Sequence, residues 1–237
     1  MPGGTLASEA VTVVIHFHGA AWIPHQAVAG LGHNVISAVL NLGAGSSVYD
    51  RTFSDPAAFG RLLQSIAAEV MAVLGAPARV GNVVLTAFSA GHGAVRAILR
   101  DTTSFNSVSS VLLLDGMHTS YVPEERVLAD SGKLDTRNLH EFRAFARAAM
   151  SGSKQFLVTH SEIFPGTFAS TTETADWLLD ELGLRRTAVL RWGFRGMQQL
   201  SEVQAGGFEL LGYAGNSAPD HVDHFHALPE LLARLLQ

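Results

Sequence analysis

The sequence predicts an α/β fold in which a mostly parallel sheet is covered by helices on both faces. Short apolar segments rich in β-branched residues alternate with segments of helical periodicity. The apolar segments are uninterrupted, which is typical of strands buried on both faces of a sheet. No repeat, low-complexity tract or Pro/Gly/Ser-rich linker divides the 237 residues. We therefore predict one domain over residues 1–237.

Continuous apolar runs bounded by turn residues predict five strands. They cover residues 11–17, 37–42, 82–87, 110–115 and 155–159. Two later segments, 187–192 and 208–213, also look extended, and the residues between them fit either a helix or a hairpin arm. Strands separated by helices favour parallel pairing through right-handed crossovers.

Capping signals and helical spacing predict the helices between these strands. Asp55 and Pro56 fit the start of a helix whose apolar residues recur as far as Val73. Ser170 and Glu173 form a capping box. Further helices are predicted over residues 94–99, 139–150 and 228–236. The polar, turn-rich residues 117–136 are expected to form a small flap, and the chain leaves no room for a large cap.

Composition excludes several functional classes. The chain has 16 basic and 21 acidic residues, a net charge of −5, and its basic residues are scattered. No surface for nucleic acid or for an anionic membrane is therefore predicted. Charged residues make up 16% and apolar residues 47%, which predicts a large buried core and not a disordered chain. Because there is no cysteine, disulfides, thiolate metal sites and thiol nucleophiles are excluded.

The beginning of the chain and its hydropathy predict a location. Residues 1–10 lack the basic and apolar regions of a signal peptide. No apolar run approaches the ~20 residues that a membrane span needs. We expect a cytoplasmic protein without a membrane partner.

Polar and small residues collect where the predicted strands end. These positions are residues 16–20, 43–47, 89, 115, 160–162 and 215–226. In open parallel sheets, ligands bind at the carboxyl ends of the strands. The functional residues are therefore expected at this edge of the sheet.

Ser89 is the most specific of these candidates. It lies between a predicted buried strand and a helix, with Ala87 two residues before it and Gly91 two residues after it. Small residues at these positions let strand and helix approach closely around a tight turn, which projects the serine hydroxyl above the sheet edge. The pattern predicts a nucleophile. The alternative is that Ser89 only caps the helix that starts near Gly91.

These residues resemble the α/β-hydrolase family. The resemblance is carried by residues 87–91, by the pair His18 and Gly19 after the first strand, and by a late histidine, and it spans nearly the whole chain. It implies the chain order serine, acid, histidine, and an oxyanion hole made by the backbone N–H groups of Ala20 and Ala90. It also implies that His18 braces the oxyanion loop and that no cofactor is required.

The same resemblance implies that the catalytic histidine lies shortly before the final helix. His221 is preferred there, with His224 as the alternative, while His226 is expected at the surface or in packing. Asp115, at the end of the strand after the nucleophile helix, is the preferred acid. Glu162 is the alternative, because most members of the family place the acid one strand later. Either carboxylate would hold the imidazole in one tautomer and stabilise the imidazolium.

Aromatic residues near strand ends are candidates for the wall of a substrate pocket: Phe17, Trp22, Tyr49 and Phe88. Together these residues predict hydrolysis of a small-molecule carboxylic ester, with a small or medium acyl group, through an acyl-enzyme intermediate. Thioesterase, amidase, acyltransferase and lyase activities on the same scaffold are left open.

Two other functional classes compete with this hypothesis. The pair His16 and His18 resembles the His-x-His zinc pair of barrel amidohydrolases, and His160 with Asp220 or Asp223 would supply further ligand types. That hypothesis leaves the serine motif unexplained and needs more βα units than the sequence offers. The other class is a binding protein of the same fold without catalysis, because a fold does not imply a function.

Overall fold

The strands follow the predicted order along the chain. A computed structural model describes residues 10–32, 34–75 and 77–237. Within them the strands are β1 (Ala10–Phe17), β2 (Val35–Leu40), β3 (Arg79–Phe88), β4 (Val108–Leu114), β5 (Tyr121–Val122), β6 (Lys133–Leu134), β7 (Gln155–His160), β8 (Thr187–Trp192), β9 (Gln198–Ala205) and β10 (Phe208–Tyr213). The segment between the last two predicted strands is β9, so it is a hairpin arm and not a helix.

Eight of these strands form one sheet in the order β2-β1-β3-β4-β7-β10-β9-β8. The first six run parallel, while β9 and β8 add antiparallel strands at one edge. In this register Ile15 of β1 lies between Ala38 of β2 and Leu85 of β3. Because parallel strands end at the same edge, the loops that follow β1, β3, β4 and β7 meet there.

Helices connect the strands: α1 (Trp22–Ala29), α2 (Ser46–Phe53), α3 (Pro56–Leu74), α4 (His92–Arg100), α5 (Thr102–Ser107), α6 (His140–Met150), α7 (Thr171–Leu182), α8 (Ala218–His226) and α9 (Leu228–Leu235). The predicted capping box of Ser170 and Glu173 opens α7, and the Asp55 side chain caps α3. The sequence analysis missed α1, α2, α5 and α8. The helix α5 has only six residues. The helices α1, α2 and α8 are as long as α4 and α9, which were predicted, but their apolar residues are less clearly confined to one face.

The helices cover both faces of the sheet, as predicted. Side chains alternate along a strand, so Val13 and Ile15 of β1 enter one core and Val14 enters the other. The larger core is shared with α3, α4, α6 and α7, and the smaller core with α1 and α9. This arrangement confirms the predicted α/β class with a mostly parallel sheet.

Residues 117–136, the predicted flap, contain a small second sheet. Strands β5 and β6 pair antiparallel, with Tyr121 opposite Leu134. The Tyr121 hydroxyl donates a hydrogen bond to Glu173 of α7 at 2.8 Å. Met117 is fully buried, so the first residue of the segment belongs to the core. The small sheet is thus tied to the main body through α7.

The helix α3 corrects one prediction. With 19 residues and a window of mean hydropathy 1.4, it is long and apolar enough to cross a membrane by length and composition, whereas no such run was expected. The helix packs on the sheet through Phe59, Ile66 and Val70, and core-covering helices can share this composition. The expectation about a signal peptide concerns residues 1–10, of which the first nine lie outside the described residues.

Candidate active site

Ser89 occupies a tight turn between β3 and α4. Residues Ser89–Gly91 form one 3-10 turn, and the φ angle of Ser89 is +46°, a left-handed conformation that strains a residue other than glycine. A Cβ atom on Gly91 would lie 2.1 Å from the carbonyl oxygen of Phe17 in β1. Only glycine therefore lets the turn approach the neighbouring strand this closely. The local geometry is that of a strained turn that presents a serine.

Asp115 follows β4 directly, and hydrogen-bond donors enclose its carboxylate. Its side chain is 2% exposed. It accepts hydrogen bonds from His221 Nδ1 at 2.7 Å, from Thr171 Oγ1 at 2.6 Å, and from the Ser161 N–H and hydroxyl at 2.9 and 2.7 Å. Burial would raise the pKa of this carboxyl, but the hydrogen bond from His221, the nearby imidazoles and the bond from Thr171 together hold the pKa well below its usual range. The group is therefore a carboxylate at neutral pH.

His221 is positioned by α8. That helix begins with a capping box in which the Asp220 carboxylate accepts hydrogen bonds from the Ser217 backbone and hydroxyl. Because His221 Nδ1 donates to Asp115, Nε2 carries the lone pair of the neutral ring. The ring is part-exposed, and its centroid lies 4.6 Å from that of Phe88, the residue before the serine.

The Asp115 turn packs directly on the backbone of Ser89. A Cβ atom on Gly116 would lie 2.9 Å from the Ser89 nitrogen and 2.8 Å from its carbonyl oxygen. Within the described ranges, neither Ser89 Oγ nor His221 Nε2 makes a hydrogen bond. Neither atom is among the buried polar atoms that lack a hydrogen-bond partner. The structure thus places the Ser89 turn against the Asp115 turn, and the Asp115 carboxylate holds His221. Hydrogen bonds between such groups often form only when substrate binds.

The alternative residues occupy other environments. His224 is 1% exposed, and its Nδ1 lies 2.8 Å from Thr159 Oγ1. Its Nε2 is buried and has no hydrogen-bond partner among the described residues. Burial lowers the pKa of this histidine. Glu162 is exposed to solvent, and its backbone N–H donates to the carbonyl of Gly215. His226 is exposed. The geometry favours the preferred acid and the preferred histidine over both alternatives.

The loop after β1 places Ala20 beside this edge. His18 and Gly19 have φ angles of +73° and +124°, and the Asn41 side chain accepts from the Gly19 N–H at 2.9 Å and donates to its carbonyl at 2.8 Å. His18 Nδ1 lies 3.0 Å from the Tyr49 hydroxyl, so this histidine braces the loop. No partner is seen for the Ala20 N–H among the described residues, and Ala90 lies in the first turn after the serine, where backbone N–H groups lack helical partners.

The ligands of the zinc hypothesis are engaged elsewhere. His16 is fully buried, with Nδ1 2.8 Å from Thr86 Oγ1 and Nε2 donating to the carbonyl of His18 at 2.8 Å. His160 Nε2 accepts a hydrogen bond from the Arg186 guanidinium at 2.6 Å, so a cation already lies where a metal would bind. Across the described ranges, no group of three or more His, Asp or Glu side chains is placed to hold a metal ion. The geometry gives this hypothesis no support.

The buried imidazole of His16 predicts a pH dependence of stability. Burial lowers the pKa of His16 from 6.5 to about 4, so between these values the unfolded chain binds a proton that the folded chain does not. The free energy of unfolding should fall as the pH drops from about 6.5 to about 4, by on the order of 3 kcal/mol from this group. Urea unfolding at several pH values measures this change in the free energy of unfolding. His16→Gln should make the free energy of unfolding depend less steeply on pH, and His226→Gln should leave that dependence as it is. An unchanged pH dependence in His16→Gln would contradict the assignment.

None of the four aromatic residues predicted for the pocket wall lines the cavity beside Ser89. Phe17, at the end of β1, and Tyr49, in α2, have no exposed surface and belong to the core, because large aromatic rings gain most free energy when fully removed from water. Phe88 is nearly buried, its ring stacked 4.9 Å from that of Phe225. Trp22 is 59% exposed on α1 and lines a different cavity.

The cavity beside Ser89 has a volume of about 490 Å³ and is lined in part by residues 44–47 and 118–120, which the sequence analysis placed at a strand end and in the flap. His92 and Arg96 of α4 also line it, and the sequence analysis did not single them out. His92 Nδ1 donates to the Ser89 carbonyl at 2.9 Å, and burial lowers the pKa of His92 to about 3. Arg96 pairs with Asp50 at 2.8 Å. The spacing of three residues between serine and histidine, at the start of a helix, is the signal that could have identified His92.

Comparison with known proteins adds no assignment. No model of a known protein family matches the chain, and no curated protein is significantly similar to it in sequence. The functional conclusion therefore rests on the fold and on the arrangement of residues at this edge of the sheet.

Proposed function

We propose that this chain is a serine hydrolase of the α/β-hydrolase type that cleaves carboxylic esters with small or medium acyl groups. The observation that carries the proposal is the 2.7 Å hydrogen bond between His221 and the buried Asp115 carboxylate, beside the strained turn of Ser89. A nucleophile needs a base, and the base needs a third group to orient it. These three residues also follow the chain order that the resemblance implies.

In the first half of the proposed reaction, His221 Nε2 takes the hydroxyl proton as Ser89 Oγ attacks the acyl carbon of the ester. The Asp115 carboxylate stabilises the imidazolium that forms. The N–H groups of Ala20 and Ala90 donate to the oxyanion, where fixed dipoles meet the developing charge without reorganising. The ester C–O bond then breaks, and His221 gives its proton to the departing alcohol while the acyl group stays on the serine.

In the second half, a water molecule replaces the alcohol. His221 removes a proton from the water as its oxygen attacks the acyl carbon. The bond between the acyl carbon and Ser89 Oγ breaks, and the serine regains its proton from the imidazolium. One ester and one water thus yield one acid and one alcohol, with no change of oxidation state.

Labelling with a fluorophosphonate probe tests the proposal directly. The probe should form one covalent adduct per folded chain, and peptide mass spectrometry should locate it on Ser89, because an activated serine attacks the phosphorus centre as it attacks an ester. His221→Ala should label far more slowly, and the heat-unfolded chain should not label. An adduct on another residue, or none on the folded protein, would contradict the assigned nucleophile.

A further inference from the structure

The cavity beside Ser89 has a chemical character of its own. Its volume of about 490 Å³ falls in the range of small-molecule sites, so it can hold one substituent of a substrate. Its wall includes the imidazoles of His92 and His118, whose ring centroids lie 5.6 Å apart. The ring of Phe168 packs edge-on against His118 at 5.0 Å. Two imidazoles that meet edge to face therefore form one side of the cavity.

Each of these rings is fixed in one tautomer by a backbone carbonyl. His92 Nδ1 donates to the carbonyl of Ser89 at 2.9 Å, and His118 Nδ1 donates to the carbonyl of Ala169 at 3.0 Å. Burial lowers the pKa of both histidines, so both rings are neutral at pH 7. In a neutral ring whose Nδ1 carries the proton, Nε2 is a hydrogen-bond acceptor only.

Both acceptor nitrogens are open. Neither Nε2 atom meets the geometry of a hydrogen bond within the described part of the chain, and neither is among the buried polar atoms that lack a partner. The backbone carbonyl of Asp115 also acts on the His118 ring and raises its pKa, against the larger lowering by burial. The cavity offers little net charge beside them, because Asp50 pairs with Arg96 at 2.8 Å and the Glu141 carboxylate lies 3.9 Å from Arg100, which also donates to Asp50. The two Nε2 atoms therefore need hydrogen-bond donors from a ligand, whereas the paired charges do not need an anion.

We propose that the cavity binds a substituent of the ester that donates hydrogen bonds, a hydroxyl or an amide N–H, and that His92 Nε2 and His118 Nε2 accept them. The inference rests on the proposed ester hydrolysis and names the substrate class: esters that carry such a donor a few atoms from the scissile bond, on the acyl or the alcohol side. A plain alkyl group in its place would leave both acceptors desolvated and unpaired.

Two isosteric pairs of esters test this preference, because a hydroxyl and a methyl group are similar in size. Methyl 3-hydroxybutyrate against methyl 3-methylbutyrate probes the acyl side, and 2-hydroxyethyl butyrate against propyl butyrate probes the alcohol side. In at least one pair, kcat/KM of the hydroxyl ester should be about tenfold higher or more. Ratios within about twofold in both pairs, with hydrolysis that still depends on Ser89, would overturn the inference and leave the proposed function standing.

Variants of His118 separate recognition from intrinsic ester reactivity. His118→Leu removes the acceptor and should reduce the preference to near unity, while His118→Gln keeps an acceptor oxygen and should retain most of it. His25→Leu, a change at an exposed histidine of α1, is the matched control and should leave the ratio unchanged. A full preference in His118→Leu would overturn the role of this residue.

Binding can be read without turnover. In Ser89→Ala protein with 15N-labelled histidine, the Nε2 resonance of His118 should move when methyl 3-hydroxybutyrate is added and should stay in place with methyl 3-methylbutyrate, or show the same contrast with the alcohol-side pair. No movement with either hydroxyl ester would overturn the inference. If wild-type protein hydrolyses no ester and is not labelled by the fluorophosphonate probe, the proposed function fails. The movement of the His118 Nε2 resonance then decides the binding inference by itself.

Discussion

Replacing Ser89 with alanine should lower kcat for p-nitrophenyl butyrate by at least about 10⁴-fold, because the attacking oxygen is lost and only binding and oxyanion stabilisation remain. The fold should survive the change. Alanine and serine both have a Cβ atom, so the strain at φ +46° is the same in the two proteins. Ester turnover and a thermal melt followed by circular dichroism measure the two effects.

The matched control for this experiment is Ser65→Ala. Ser65 is an exposed serine of α3 whose hydroxyl donates only to the carbonyl of Arg61, so the same chemical change there should leave turnover unaltered. Wild-type activity in folded Ser89→Ala protein would end the proposed mechanism. It would also leave another catalytic centre as the remaining explanation.

Replacing Asp115 with asparagine should lower kcat by about 10⁴-fold, with a much smaller effect on KM. The asparagine side chain has nearly the same shape but can place an NH2 group opposite His221 Nδ1. That arrangement favours the tautomer in which Nε2 carries the proton, so the imidazole can no longer accept a proton from the serine. The hydrogen bonds from the Ser161 N–H and the Thr171 hydroxyl go to the other oxygen, which the amide retains, and keep the side chain in place.

The same carboxyl-to-amide change at Glu162 is the control and discriminates between the two candidate acids. Glu162 is exposed, so Glu162→Gln should change kcat by less than about twofold. The opposite ranking, a large loss in Glu162→Gln and a small one in Asp115→Asn, would show that the acid was assigned wrongly.

Stability must be measured beside activity in the Asp115→Asn protein. The pKa of Asp115 is held below its unfolded value, so ionisation of this group stabilises the fold above about pH 4, and the stabilisation is lost as the pH falls through the folded pKa. The asparagine variant lacks this contribution at pH 7. A thermal melt therefore defines the temperature at which the variant is fully folded, and kinetics are measured there.

The fold could be predicted to a large extent because its signals are local. The uninterrupted apolar run that became β1 and the Ser170 capping box of α7 each depend on residues close together in sequence. Of the three strands after α7, β8 and β10 were predicted with their observed bounds, Thr187–Trp192 and Phe208–Tyr213. The short helix α8 was missed because its apolar residues are less clearly confined to one face, although its Ser217 capping box was present in the sequence.

The turn around Ser89 was also foreseeable, because small neighbours at fixed spacing are a property of the chain alone. The choice between Asp115 and Glu162 was not, since both follow apolar strands and both are carboxylates. Packing gives the two carboxylates different environments: residues 46 positions or more away in sequence surround Asp115 with donors, while Glu162 faces solvent. Burial and hydrogen bonding by residues distant in sequence cannot be predicted from the local composition around a carboxylate.

Local sequence therefore specified the strands, the longer helices and the turn that carries the serine, because propensity, capping and periodicity act over a few residues. Folding in three dimensions chose the partner of His221, removed Phe17 and Tyr49 from any pocket, and assembled the polar cavity of His92 and His118. Those outcomes depend on which side chains meet when distant segments pack at one sheet edge, and that is a property of the whole chain.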